Sequence, residues 1–187
     1  MTDIKRLGLG CMGMSHAYGA PSDRQEARGV IDAAGDMGYT FFDTAESYST
    51  ADNPHDNEEL IGEALAPYRD KVIIGTKFCI YFDTSAPGTN KPVVPDARPE
   101  VIRKSVEASL HRLKTDHIDI YYQHRQDPKI PVEEVAGVMD ALFREGKILG
   151  WGLSEVDEDI IRRAHAVCPL TAVQNRYSMM ARHYEPL

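Results

Sequence analysis

The chain has 187 residues, of which 42% are hydrophobic and 27% charged, and its formal net charge is −8. This composition is typical of a globular domain and excludes collagen-like, low-complexity and disordered classes. An acidic chain without a basic run argues against nucleic-acid binding, and no apolar run approaches the roughly 18 residues of a membrane span. No signal-peptide pattern opens the sequence, and its three cysteines are unclustered, so we expect reduced thiols in a cytoplasmic protein.

Short apolar segments alternate with longer amphipathic segments along the chain. Strands are predicted at residues 7–10, 40–43, 71–77, 117–124, 147–154 and 170–175. Helices are predicted at residues 22–38, 56–66, 98–113, 131–145 and 157–167. We expect Ser22 to cap the first helix and residues 81–97, which contain Pro and Gly, to form an exposed loop. The last residues, MMARHYEPL, resemble the beginning of another helix.

This alternation of strands and helices, repeated about every 30 residues, is typical of βαβ units and predicts a parallel sheet. An open doubly wound sheet and a (β/α)8 barrel both satisfy the pattern. The long turn after LGLG lacks the G-x-G-x-x-G of a dinucleotide-binding doubly wound sheet, so the barrel is favoured. Only about six of the eight strands are predicted, so we expect residues 1–187 to form a single partial barrel without strands seven and eight.

Polar side chains stand at the carboxyl ends of the predicted strands, where (β/α)8 barrels have their active sites. Asp43 ends the second strand, Lys77 the third and His124 the fourth. Tyr48 follows Asp43 on the same loop. Because neighbouring strands lie about 4.8 Å apart, these groups are expected within about 10 Å of one another.

These residue types suit the protonation of an alkoxide. Lys77 follows a buried apolar run and needs a counter-charge, for which Asp43 is the obvious candidate. A tyrosine hydroxyl is a poor acid near neutral pH, and an ammonium about 4 Å away favours its ionised form, so Lys77 would tune Tyr48 as a general acid. His124 is placed to orient a carbonyl by hydrogen bonding. A metal-dependent hydrolase is a weaker alternative, because the histidines lack the H-x-x-x-H spacing of a helical ligand pair.

Taken together, these motifs resemble the aldo-keto reductase family over essentially the whole chain. GYTFFDTAESYS contains Asp43 and Tyr48, GTK contains Lys77, and YYQHRQDP contains His124. GKILGWGLSE and AVQNRYS resemble the segments that hold the nicotinamide carboxamide. Many members have Asn after the serine of the first of these segments, whereas this chain has Glu155.

The resemblance implies a barrel that binds NADP(H) in an extended form and transfers hydride directly to a small-molecule aldehyde or ketone. It implies that Tyr48 donates the proton and that Lys77 makes this hydroxyl more acidic. It likewise implies that Asp43 pairs with Lys77 and that His124 positions the carbonyl. The cofactor contacts that it implies are Cys11, Met12, Asp43, Ser154 and Gln174. We expect no metal ligand among the site residues.

The family barrel has eight strands, and its segments for the pyrophosphate and the 2′-phosphate lie beyond the sixth. The resemblance therefore implies a chain truncated at its carboxyl end relative to the usual length. Two functions stay open: an NADPH-dependent carbonyl reductase, and a catalytically impaired relative that acts as a binding or regulatory module. Six strands leave two unpaired parallel edges, so self-association through these edges is also expected.

Overall fold

The fold is given by a computed structural model that describes residues 7–15, 19–87 and 91–187. Its strands are β1 Leu9–Gly10, β2 Phe41–Asp43, β3 Ile73–Phe78, β4 Ile80–Phe82, β5 Val93–Pro95, β6 Ile120–Gln123, β7 Trp151–Ser154 and β8 Ala172–Gln174. Six of them form one curled parallel sheet in the order β1-β2-β3-β6-β7-β8. The predicted partial (β/α)8 barrel with six strands is therefore confirmed.

Five helices connect the strands and cover the outer face of the sheet. They are α1 Arg24–Asp36, α2 Asp56–Leu65, α3 Pro99–Leu113, α4 Val132–Arg144 and α5 Glu158–Val167. Each helix packs against the next one along the chain. Each turns a stripe of apolar residues toward the sheet, as in Ile31 of α1, Ile61 of α2 and Met139 of α4, which are buried.

The two faces of the strands belong to two different hydrophobic clusters. Outward residues such as Ile74 and Tyr121 join the large core beneath the helices. Inward residues form a smaller cluster in the barrel interior, made of Ile73, Ile120, Tyr122, Phe41 and Ala172. Side chains alternate between the two faces of a strand, and every residue of β3, β6 and β7 is buried, so these strands are covered on both faces.

The predicted N-cap of the first helix was wrong by one residue. Asp23, and not Ser22, caps α1, because its carboxylate accepts hydrogen bonds from the amides of Gln25 at 2.8 Å and Glu26 at 3.2 Å. These amides are two of the helix N–H groups that lack a partner within the helix. The carboxylate therefore takes the role that was assigned to the serine hydroxyl.

The expected loop at residues 81–97 contains most of an antiparallel ribbon, in which β4 pairs with β5. The valines Val93 and Val94 and the aromatic residues Tyr81 and Phe82 are good strand formers, and they outweigh the Pro and Gly residues between them.

The helix expected at MMARHYEPL is not present in the structure. Turns replace it, closed by the Glu185 amide on the Arg182 carbonyl and the Leu187 amide on the Tyr184 carbonyl.

Candidate active site

The candidate site lies at the carboxyl ends of the strands, on the inward face of the sheet. Alternation along each strand determines which residues reach it. Asp43 is two residues beyond Phe41 on β2, and Lys77 is four beyond Ile73 on β3, so both share the inward face of the small interior cluster. By the same count His124, Ser154 and Gln174 follow inward positions of β6, β7 and β8. The sheet therefore directs the predicted site residues toward one rim.

Lys77 is the centre of this rim. Its side chain is 1% exposed, and its ammonium donates to Asp43 Oδ2 at 2.6 Å, to the Thr44 carbonyl at 2.8 Å and to the Tyr48 hydroxyl oxygen at 3.0 Å. An ammonium has three N–H donors and no acceptor. All three donors are used, and the Tyr48 oxygen is an acceptor in this contact. The phenolic hydrogen of Tyr48 is consequently available to another acceptor.

Asp43 connects this ammonium to the edge strand β8. Its Oδ2 accepts from Lys77, and its Oδ1 accepts from Gln174 Nε2 at 3.0 Å. The carboxylate is thus held by charge on one side and by an amide on the other. The structure thus brings Asp43, Lys77 and Tyr48 into direct contact.

His124 faces Tyr48 from the end of β6. The two ring centroids are 5.5 Å apart, and the rings meet edge to face at 79°. His124 Nδ1 is buried and has no hydrogen-bond partner among the described residues. Burial, assisted by the positive charges of Lys77 and Arg125, lowers the pKa of His124 to about 3. The imidazole is therefore neutral near pH 7, with one ring N–H to donate.

The loop after β1 reaches the site through its backbone. The Cys11 amide donates to the Asp43 carbonyl at 2.8 Å. The Cys11 thiol is buried against the Leu9 carbonyl, and burial, with the charge of Asp43, raises its pKa to about 12. Met12, which begins a short 3-10 helix over Met12–Met14, is partly exposed at the same edge. Cys11 is therefore a protonated packing residue here.

A buried amide network holds the Tyr48 loop and was missed from the sequence. Asn57, in the first turn of α2, donates to the Cys11 carbonyl at 3.0 Å and to Ser15 Oγ at 2.5 Å. Ser15 Oγ donates in turn to the Tyr48 carbonyl at 3.0 Å. No motif or periodicity marks these residues, since each is a single polar residue whose partners are far along the chain.

A buried carboxyl group lies behind the Tyr48 loop. Glu46 donates its amide to the Lys77 carbonyl at 3.1 Å, and its carboxyl group accepts from the Cys79 amide at 3.1 Å and from the Ser105 hydroxyl. Burial raises the pKa of Glu46 to about 8. Glu46 was also missed, because nothing in its local sequence distinguishes it from a solvent-exposed loop glutamate.

The far side of the rim is built by the ends of β6, β7 and β8. Arg125 Nη1 donates to Ser154 Oγ at 3.3 Å. Glu155 adopts a left-handed backbone with φ of 57°, and its carboxylate accepts from the Arg176 amide at 2.5 Å. Ser154 and Gln174 are paired in register on neighbouring strands, so their polar groups face the same space.

The same described residues form neither a metal site nor a membrane-spanning helix. Within 7–15, 19–87 and 91–187, no three His, Cys, Asp or Glu side chains are grouped in a way that would hold a metal ion. None of the helices in these ranges has the length and apolar character needed to cross a membrane.

Comparisons with known proteins agree on one family. The model of the Aldo/keto reductase family matches residues 6–187. The chain is 42% identical over 188 residues to the probable aldo-keto reductase 1 of Glycine max, an alignment that covers 98% of this chain and 51% of that protein. The chain thus spans about half the length of this curated relative.

Solved structures give the same result. A glycerol dehydrogenase of Gluconobacter oxydans is 31% identical with a TM-score of 0.86, and the match covers 98% of this chain and 54% of that one. The holo form of an aldo-keto reductase of Bacillus halodurans is 28% identical with a TM-score of 0.83, covering 98% and 57%.

Proposed function

Because the chain belongs to the aldo/keto reductase family, we propose that it is an NADPH-dependent oxidoreductase that reduces aldehydes or ketones to alcohols. The observation that carries the proposal is the triple contact of Lys77 with Asp43, Thr44 and Tyr48. A buried ammonium that donates to a phenol oxygen stabilises the phenolate left after proton transfer. The same contact leaves the phenolic proton free for a substrate oxygen.

The protonation step follows from these contacts. As hydride adds to the carbonyl carbon, the π electron pair of the carbonyl moves to its oxygen. Tyr48 gives its proton to that oxygen, and the negative charge left on Tyr48 lies 3.0 Å from the Lys77 ammonium. Neutral His124 donates its ring N–H to the same oxygen and so holds the carbonyl against Tyr48. Solvent returns the proton to Tyr48 after the alcohol leaves.

The residues at the far side of the rim fit a nicotinamide carboxamide. Ser154 offers a hydroxyl that both donates and accepts, and Gln174 keeps its side-chain oxygen for a ligand while its nitrogen donates to Asp43. NADPH, when bound, supplies the hydride. Asp43 at the base of the site and Cys11 and Met12 at its edge would border the ribose. The holo description of the Bacillus halodurans relative supports a bound cofactor.

An alternative function is a catalytically impaired relative that acts as a binding or regulatory module. It would use the same fold and the same rim to bind a partner without turning over a substrate. The contacts around Lys77 favour the enzyme, because a pure binding module has no need for a buried cation against a phenol.

We also propose a cytoplasmic location for the protein. Its three free cysteines suit a reducing compartment.

Isotope transfer tests the proposal. The chain is incubated with 4-nitrobenzaldehyde and NADPH that carries deuterium at C4 of the nicotinamide, in separate 4R and 4S preparations. We expect NADPH loss at 340 nm and 4-nitrobenzyl alcohol that contains deuterium from one preparation only. Alcohol without deuterium from either preparation would refute direct transfer. No NADPH oxidation, together with no NADPH binding by fluorescence titration, would favour the binding module.

A further inference from the structure

Arg125 differs from the other arginines that the structure describes. Each of the others has a carboxylate oxygen within 4.0 Å of its guanidinium. In the described ranges Arg125 has no such partner. Most arginine charge in this acidic protein is thus neutralised locally, whereas the charge of Arg125 is not.

Two hydrogen bonds place this unpaired charge at the candidate site. Arg125 Nη1 donates to the His124 carbonyl at 2.6 Å and to Ser154 Oγ at 3.3 Å. The guanidinium therefore spans the ends of β6 and β7, between the ring that orients the carbonyl and the hydroxyl assigned to the carboxamide. A guanidinium has five N–H donors, so most of them are left for a ligand.

The neighbouring charges do not cancel that of Arg125. Lys77 and Asp43 neutralise each other at 2.6 Å. The Glu155 carboxylate is 3.9 Å from the guanidinium of Arg176 and also accepts from its amide. One net positive charge remains at the rim, on a side chain that is exposed to solvent and so accessible to a ligand.

We propose that Arg125 binds a carboxylate of the substrate, so that the site prefers aldehydes and ketones that carry a carboxylate. A planar guanidinium offers two parallel N–H donors that match the two oxygens of a carboxylate. The inference rests on the proposed carbonyl reduction and adds the class of substrate to it. It makes Arg125 a specificity residue and leaves the proton-transfer step to Tyr48.

Two aldehydes of similar shape test this directly. 4-Carboxybenzaldehyde and 4-nitrobenzaldehyde both carry a planar, electron-withdrawing para group, but only the first is an anion. We expect kcat/KM of the native chain to favour the carboxylate, and Arg125→Gln to lower that value by about tenfold to a hundredfold, with a distinctly smaller loss for the nitro compound. Arg125→Lys should retain part of the preference.

Arg162→Gln is the matched control, because Arg162 is an exposed arginine whose partner, Glu158, lies on its own helix. This variant should have the native kcat/KM for both aldehydes. Equal losses for both aldehydes in Arg125→Gln would overturn the proposal and assign Arg125 to the cofactor or to the fold. A native chain without preference for the anion would also overturn it.

A binding measurement separates this proposal from the proposed function. The chain is titrated calorimetrically with 4-(hydroxymethyl)benzoate and with 4-nitrobenzyl alcohol, the two expected products. The benzoate should bind the native chain more tightly than the nitro alcohol does, and this difference should disappear in Arg125→Gln. Its affinity should also fall as ionic strength rises. If neither aldehyde consumes NADPH, the proposed function fails and the titration alone decides the role of Arg125. Equal binding of the two alcohols would then refute it.

Discussion

Lys77 depends on three protein oxygens for the solvation that water would otherwise supply. We expect Lys77→Met to lower the free energy of unfolding by about 3 kcal/mol, because it leaves Asp43 largely buried without its counter-charge. The double variant Asp43→Asn with Lys77→Met should recover part of this loss, since no uncompensated charge remains. Urea denaturation at pH 7 measures both. A double variant less stable than Lys77→Met alone would contradict the interpretation.

His124 is expected to stay neutral through the physiological pH range. Its folded-state pKa is about 3, mainly because of burial, against an ordinary value of 6.5. A depressed pKa stabilises the native state above pH 6.5, and this contribution falls as the pH falls from 6.5 toward 3. The ring-proton NMR shifts of His124, assigned with His124→Gln, should show no titration between pH 5 and about 8. An inflection near pH 6.5 would contradict this.

At the scale of elements, Glu46 joins the loop after β2 to the end of β3 and to α3. The charged groups that act on its carboxyl group are Glu58, which opposes ionisation, and Arg112, which favours it, and burial dominates both. A pKa raised to about 8 means that the folded chain holds a proton the unfolded chain releases near pH 4.5. The stability from this proton is complete below pH 4.5 and is lost as pH rises through about 8.

Glu46→Gln should therefore flatten the dependence of melting temperature on pH. The native chain is expected to lose melting temperature from pH 5 to about 9, and the variant to lose less, because an amide has the shape of the carboxyl group and one of its acceptor oxygens but does not ionise. Glu145→Gln, on the surface at the end of α4, is the control and should follow the native curve. Parallel curves for the native chain and Glu46→Gln would show that Glu46 does not titrate in this way.

The sequence predicted the elements whose pattern is local and repeated. The six parallel strands and five helices follow from apolar periodicity, and Asp43, Lys77 and His124 stand out because each polar residue ends an apolar run. The ribbon of β4 and β5 was not predicted, because the Pro and Gly residues between its two short strand-forming segments indicated a loop. Ser15, Asn57 and Glu46 were missed because their partners lie far along the chain, and such contacts exist only after folding.

At the scale of the whole molecule, the sheet has two open edges, since β1 and β8 each pair with one neighbour among the described residues. Apolar side chains are exposed beside β8: Val173 is 41% exposed, Met179 94% and Met180 95%. Unpaired parallel edges with apolar flanks favour association. We propose that the 187-residue chain, on its own, associates with a second copy through the β8 edge.

Light scattering tests this association. The native chain should give a mass of at least twice 20.9 kDa that falls on dilution. Val173→Lys should shift it toward a single chain, because a charge beside the edge strand opposes pairing. Val30→Lys, at a valine on α1 that is 53% exposed, is the matched control and should have the same mass as the native chain. A mass of one chain at every concentration would refute the proposal.

Proton donation by Tyr48 is tested most directly by replacing its hydroxyl. Tyr48→Phe removes the proton donor but leaves Lys77 bonded to Asp43 and Thr44, so the fold should persist by circular dichroism. With NADPH and 4-nitrobenzaldehyde, kcat/KM should fall by about 10² to 10⁴. Tyr68→Phe, at a tyrosine that is 42% exposed in the 3-10 helix after α2, should keep the native value. Undiminished NADPH oxidation by Tyr48→Phe would contradict the assigned role of Tyr48.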